Sequence, residues 1–104
     1  MEDKKYKLRY LVDFEADIAE AVMYITNVLH NQQAAEGLVN DVEKAILERL
    51  DSPTSYQPYW SAKKRKHSYY RINIRNFSVF YVVIDDVMEV RRLIYSKRDI
   101  YKIL

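Results

Sequence analysis

The chain has no cysteine, so it forms neither a disulfide nor a thiolate metal site. Its two histidines stand alone in the sequence, and no metal centre and no cofactor is expected. No apolar run approaches the ~18 residues that a spanning helix needs, which excludes a membrane partner of that kind. The opening MEDKKYKLRY mixes charges and lacks the apolar segment of a signal peptide, so a cytoplasmic location is expected. Repeats, low-complexity tracts and an interdomain linker are also missing. A single domain over residues 1–104 follows, with room for one modest core.

One further absence is local. Residues 52–84 carry 6 bases and no acid, whereas residues 1–51 carry 11 acids against 6 bases. The overall charge of +2 conceals this asymmetry. An acidic first half joined to a basic second half makes a polarised molecule, and the basic half suits RNA, DNA or an acidic protein segment. The bland alternative is a solvated basic loop, which accounts for most short lysine–arginine runs.

Patterning then sets the architecture. Residues 5–12 alternate as a half-buried strand does, with Tyr6, Leu8, Tyr10 and Val12 on one side. Asp13 is placed to cap a helix whose stripe runs through Phe14, Ile18, Ala21, Ile25 and Leu29. His30-Asn31 breaks that stripe, and Asn31 is placed to cap a second helix carrying Ala35, Leu38, Val42, Ile46 and Leu50. So short a break predicts an antiparallel helical hairpin, which Ser52-Pro53 ends. A polar connection over 52–67 holds both prolines. Strands are predicted at 69–74, 77–84 and 88–95, with a tight Asp85-Asp86 turn. The middle strand is apolar on both faces and belongs inside the sheet. The expected fold is α+β: an N-terminal strand, a two-helix hairpin, then a three-stranded antiparallel meander sharing one sheet with the first strand. Its arginines are expected on the sheet face opposite the helices.

Taken in order, YKLRYLVDFEADIAEAVMYI, NQQAAEGLVNDVEKAILERL and YYRINIRNFSVFYVVIDDVMEVRRLIYSKRDIYKIL resemble the RelE/ParE superfamily of bacterial type II toxins, over essentially the whole chain. The resemblance implies a toxin restrained by a cognate antitoxin. In the RelE-like branch such a toxin enters the ribosome, cleaves mRNA without a metal and arrests translation. In the ParE-like branch it inhibits DNA gyrase and cleaves no RNA.

The nuclease reading is taken first. It needs a base, a charge-stabilising group at the phosphate and a proton donor. Arg75 lies near the strand position where RelE-like nucleases place an arginine, Arg98 matches the arginine beyond the last strand, and Tyr101 matches the tyrosine that follows. These three are the candidate catalytic residues. Lys63, Lys64, Arg65 and Lys66 are placed like substrate-binding lysines, and Arg71 joins them as a candidate RNA contact. Two departures favour the gyrase branch: Ser78 and Tyr95 stand where nucleases often carry arginine and histidine. A third reading is a non-catalytic basic module docking an acidic partner. Each residue also has a purely structural role open to it. Arg71 and Arg91 could pair with helix acids, Arg98-Asp99 could cap the last turn, and Tyr101 could anchor it. Trp60, with Tyr56 and Tyr59, could cover the core.

Overall fold

The computed structural model describes residues 5–104; the first four residues of the charged opening lie outside it. Strand β1 (Lys7–Tyr10) leads into helices α1 (Val12–Asn27) and α2 (Gln32–Arg49). Strands β2 (Tyr70–Ile74), β3 (Phe77–Ile84) and β4 (Val87–Tyr95) follow, then the short helix α3 (Ile100–Ile103). All four strands share one sheet in the order β1-β4-β3-β2. The meander is antiparallel, and β1 joins it parallel to β4. As its two apolar faces required, β3 is internal.

Local chemistry sets the boundaries. The Asn31 side chain accepts from the Ala34 N–H at 3.0 Å, so α2 starts where its cap predicts. The break before it is made by His30, held in the left-handed region at φ 52°. Asp13 does not cap α1. That helix begins earlier, at Val12, with Leu11 at the cap position and no side-chain bond there. Asp13 and Glu15 fall in the first turn instead, where they face the positive end of the helix dipole.

The hairpin lies on one face of the sheet. Phe14, Leu38, Val42 and Ile46 pack against Ile72, Ile74, Val79, Tyr81, Met88, Val90 and Leu93. Tyr81 is fully buried there and donates to the Pro53 carbonyl at 2.7 Å. Arg49 donates to the same hydroxyl at 3.0 Å and lies 3.4 Å above the Tyr56 ring, so the exit from α2 is pinned to the sheet.

The opposite face is not the open arginine surface that alternation suggests. Ser78, Phe80 and Val82 are fully buried on it, outside the helix-facing core. Tyr59 and Tyr69 from the connection close edge-on over Phe80, at 5.2 and 6.3 Å between ring centres. An aromatic lid on that side lets both faces of β3 escape water.

Two adjacent arginines in β4 would put one of them into the core if the strand alternated regularly. The register slips instead: Phe80 faces Arg92, and Tyr81 faces Val90. Arg91 is therefore the extra residue of a β-bulge, and Leu93 takes the core position. Two carboxylates hold the bulge. Asp17 of α1 accepts from Arg92 Nε at 2.8 Å, from Arg92 Nη2 at 3.0 Å and from the Leu93 N–H at 2.9 Å. On the other face, Glu89 accepts from Arg91 Nε at 2.8 Å and from Arg9 of β1.

Burial pushes the Glu89 carboxyl up, but hydrogen bonds from Arg9 and Arg91 outweigh it and hold the pKa below its ordinary 4.5. A depressed folded pKa stabilises the fold in full above the unfolded value, and that stabilisation is lost as pH falls through the folded one. Glu89→Gln should cost about 1.5–3 kcal/mol at neutral pH. It should also flatten the acid limb of the stability–pH curve below about pH 5. Chemical denaturation of both proteins across that range checks both effects.

Candidate functional site

A groove of about 610 Å³ opens between α1, the start of α2, the β2–β3 turn and the end of β4. Ala21, Ile25, Leu38, Phe77 and Leu93 give it an apolar lining. Tyr24 and Leu29, each 55% exposed, rise beside it, and Tyr95 tilts onto Phe77 at 5.6 Å. Four charges complete the lining: Asp17 and Glu20 from α1, Arg75 from the turn and Arg98 beyond β4. Large apolar side chains left in water beside a ready concavity are the features of a surface that a partner covers.

Arg75 reaches the groove through an unusual local conformation. Its φ of 53° is a left-handed value that a side chain seldom adopts. This turns the guanidinium back over α2, where Nε and Nη2 meet Asp41 Oδ2 at 2.9 and 2.8 Å. A β-carbon at Gly37 would come within 3.0 Å of Arg75 Nη2. The single glycine of the chain therefore makes room for the arginine. An isolated glycine inside a helical pattern was the available sign of this close approach.

The sequence-derived site residues fall into separate places. Arg75 and Arg98 share the groove. Tyr101 does not line it: the ring is 52% exposed rather than packed as a core anchor, and lies under Lys63 Nζ at 4.7 Å. Asp99, not Arg98, caps α3 by accepting from Lys102 N–H at 3.3 Å. Arg65 lies 4.9 Å from the Tyr69 ring. Arg71 donates to Ser78 at 2.9 Å, beside Tyr59 and Phe80, and Ser78 passes a bond to Asn73 at 3.0 Å. An arginine at position 78 would have no room, since Ser78 is fully buried. Lys64 and Lys66 are exposed, with no partner among the described residues. The helix acids meant for a polarised surface are partly spent on the sheet: Asp17 on Arg92 and Asp41 on Arg75.

Every described group whose pKa clearly departs from its ordinary value moves away from neutrality. Burial raises Tyr10, aided by Glu43, and raises Tyr81 against the opposing Arg49 bond. The Asp17 bond raises Arg92, while at Arg91 burial is outweighed by Tyr69 and Glu89. Glu89 goes down. None of these shifts brings a group nearer the pKa that proton transfer at neutral pH favours. Among the described residues no three His, Cys, Asp or Glu side chains converge.

A helical hairpin packed on a four-stranded mixed sheet, with a charged groove between them, defines an α+β domain of the RelE/ParE type. The model of the ParE toxin of the type II toxin–antitoxin system parDE matches residues 8–100, and the chain belongs to that family. It is also similar in fold to a chain of the chromosomal ParDE TA system from P. aeruginosa. The TM-score is 0.70 at 14% identity, covering 90% of this chain and 99% of that one. No curated protein matches in sequence. Membership of a toxin–antitoxin family implies a cognate antitoxin. No helix among the described residues is long and apolar enough to cross a membrane.

Gly37→Ala separates the packing role of the glycine from any role in the groove. Alanine in a helix is favoured over glycine by about 1 kcal/mol. The Arg75–Asp41 pair it would disturb is about half exposed, at 46% and 49%, and exposed pairs are worth little. Thermal melting should therefore rise by about 4–8 °C. A fall would mean that Arg75 braces the turn.

Proposed function

We propose that the protein is a single-domain cytoplasmic toxin that arrests growth by binding and inhibiting DNA gyrase, and that its antitoxin neutralises it through the groove. The observation carrying this reading is the match of residues 8–100 to the ParE toxin family. Metal-independent cleavage of RNA needs its base, acid and phosphate-stabilising group within reach of one reacting phosphate. Here Arg75 is engaged with Asp41 at the groove, and Tyr101, under Lys63, is not part of the groove lining. Inhibition by binding asks for no such constellation, and the ParE family match agrees with it.

The groove suits an amphipathic antitoxin segment. Its apolar lining would take the apolar face of a helix, and its two acids and two arginines would fix register and orientation. Exposed Tyr24 and Leu29 are the natural anchors, each apolar enough to gain from burial.

Gyrase supercoiling assays with the purified toxin, run beside primer extension on cellular mRNA after induction, decide between the branches. The expected result is inhibited supercoiling with intact mRNA, relieved by the product of the neighbouring small open reading frame. Codon-spaced mRNA cleavage that is lost in Arg75→Ala, Arg98→Ala or Tyr101→Phe, with gyrase unaffected, would establish the ribosome-dependent endoribonuclease instead.

The antitoxin surface is tested separately. Tyr24→Asp and Leu29→Asp should each weaken antitoxin binding by about tenfold or more, the loss expected at a central anchor. Calorimetric titration reads this directly, and wild-type affinity in both variants would place the antitoxin elsewhere.

A further inference from the structure

The connection between α2 and β2 is not a slack tether. The Tyr59 N–H donates to the Tyr69 carbonyl at 2.7 Å, so residues 60–68 form a loop closed at its base. Within it, exposure alternates residue by residue. Tyr59, Ser61, Lys63, Arg65, His67 and Tyr69 are partly buried, while Trp60, Ala62, Lys64, Lys66 and Ser68 are exposed. Of the inward set, Lys63 lies over Tyr101, Arg65 lies near Tyr69 with its Nη2 buried and unbonded, and Ser61 accepts from the Lys63 N–H at 3.2 Å. The outward set presents one indole and two ammonium groups, besides the methyl of Ala62 and the hydroxyl of Ser68, and none of these groups has a hydrogen-bond, ion-pair or ring partner among the described residues. Trp60, the single tryptophan of the chain, is 82% exposed, the most of any large apolar side chain described.

We propose that this closed loop is a binding site for a single strand of nucleic acid, one base stacking on Trp60 and adjacent phosphates meeting Lys64 and Lys66. The exposed Trp60 ring offers a flat aromatic face on which a partner's ring can stack. Lysines two residues apart on one side of it make the local field positive, and no acid lies anywhere in residues 52–84 to offset it. Stacked base plus neutralised phosphate is the combination by which proteins hold single strands irrespective of sequence. A duplex offers its phosphates but not an unstacked base, so the exposed indole selects the single strand. An acidic peptide would satisfy the lysines and leave the ring idle. DNA and RNA share the recognised chemistry. Because the site is assigned from the loop alone, it does not depend on the gyrase reading, and its test contains no gyrase.

The lone tryptophan reports directly on the site. Oligo-dT and oligo-rU are titrated into the purified toxin while Trp60 emission is followed, with labelled-oligonucleotide anisotropy in parallel. Stacking should quench the emission, and affinity should fall as salt rises. Lys64→Ala/Lys66→Ala should lower the slope of log affinity against log salt by about 1.4. Trp60→Ala should weaken binding about tenfold or more with the salt slope kept. The DNA and RNA arms identify which strand is preferred; binding of either one on these terms supports the site. Absent quenching, equal affinity for a duplex, equal quenching by poly-glutamate, or wild-type binding by both variants would overturn it. Every substituted side chain is exposed, so near-wild-type melting temperatures exclude misfolding as the cause of any loss.

Discussion

Two carboxylates facing three arginines across a β-bulge are the constraint on which the remainder of this molecule is arranged. Adjacent Arg91 and Arg92 cannot both be accommodated in a regularly alternating internal strand. One extra residue resolves this by sending Arg91 to Glu89 and Arg92 to Asp17 of α1. Because Asp17 also accepts the Leu93 N–H, the same side chain fixes where α1 sits on the sheet. Glu89, bonded to Arg9 as well, ties β1 to β4 beyond their backbone ladder. A bare carboxylate in either place would be expensive, and so would an unpaired guanidinium. The pairs are mutually required.

From that arrangement follow two surfaces of different character. On the helical side, α1 and the β2–β3 turn diverge enough to leave an apolar groove, with Asp17 at once a structural anchor and part of its lining. On the other side, the lid of Tyr59 and Tyr69 closes over Phe80 and supports a pinned loop. The positive charge of the chain is divided between them, and much of it is neutralised internally. Among the cations open to a partner are Arg98 at the groove, beside the Asp41-paired Arg75, and Lys64 and Lys66 with Trp60 on the loop. Such surfaces recognise by shape, stacking and charge.

Fold and family were legible in the residues because both rest on short-range patterns. Asn31 announces the start of α2, Asp85-Asp86 the β3–β4 turn, and the doubly apolar Phe77–Ile84 an internal strand. Each of these is a local preference that the tertiary structure reinforces. The start of α1 was misread at Asp13, since Asp13 and Leu11 compete for one position and a cap residue need not use its side chain.

The sequence by itself determined the order and kind of the elements, the single-sheet architecture and the asymmetry of charge, because periodicity and composition act over a few residues at a time. Only the tertiary structure decided what each cation does. Arg75 turns to Asp41, Arg92 to Asp17 and Arg91 to Glu89; Lys63 and Arg65 lie on aromatic rings, while Lys64 and Lys66 stay in water. The partners of Arg75 and Arg92 lie 34 and 75 residues away in the chain. The physical reason is that a long charged side chain reaches whichever opposite charge or ring the packed backbones bring near. That choice depends on a bulge, a left-handed turn residue and one missing β-carbon, none of which alters the pattern of apolar and polar residues.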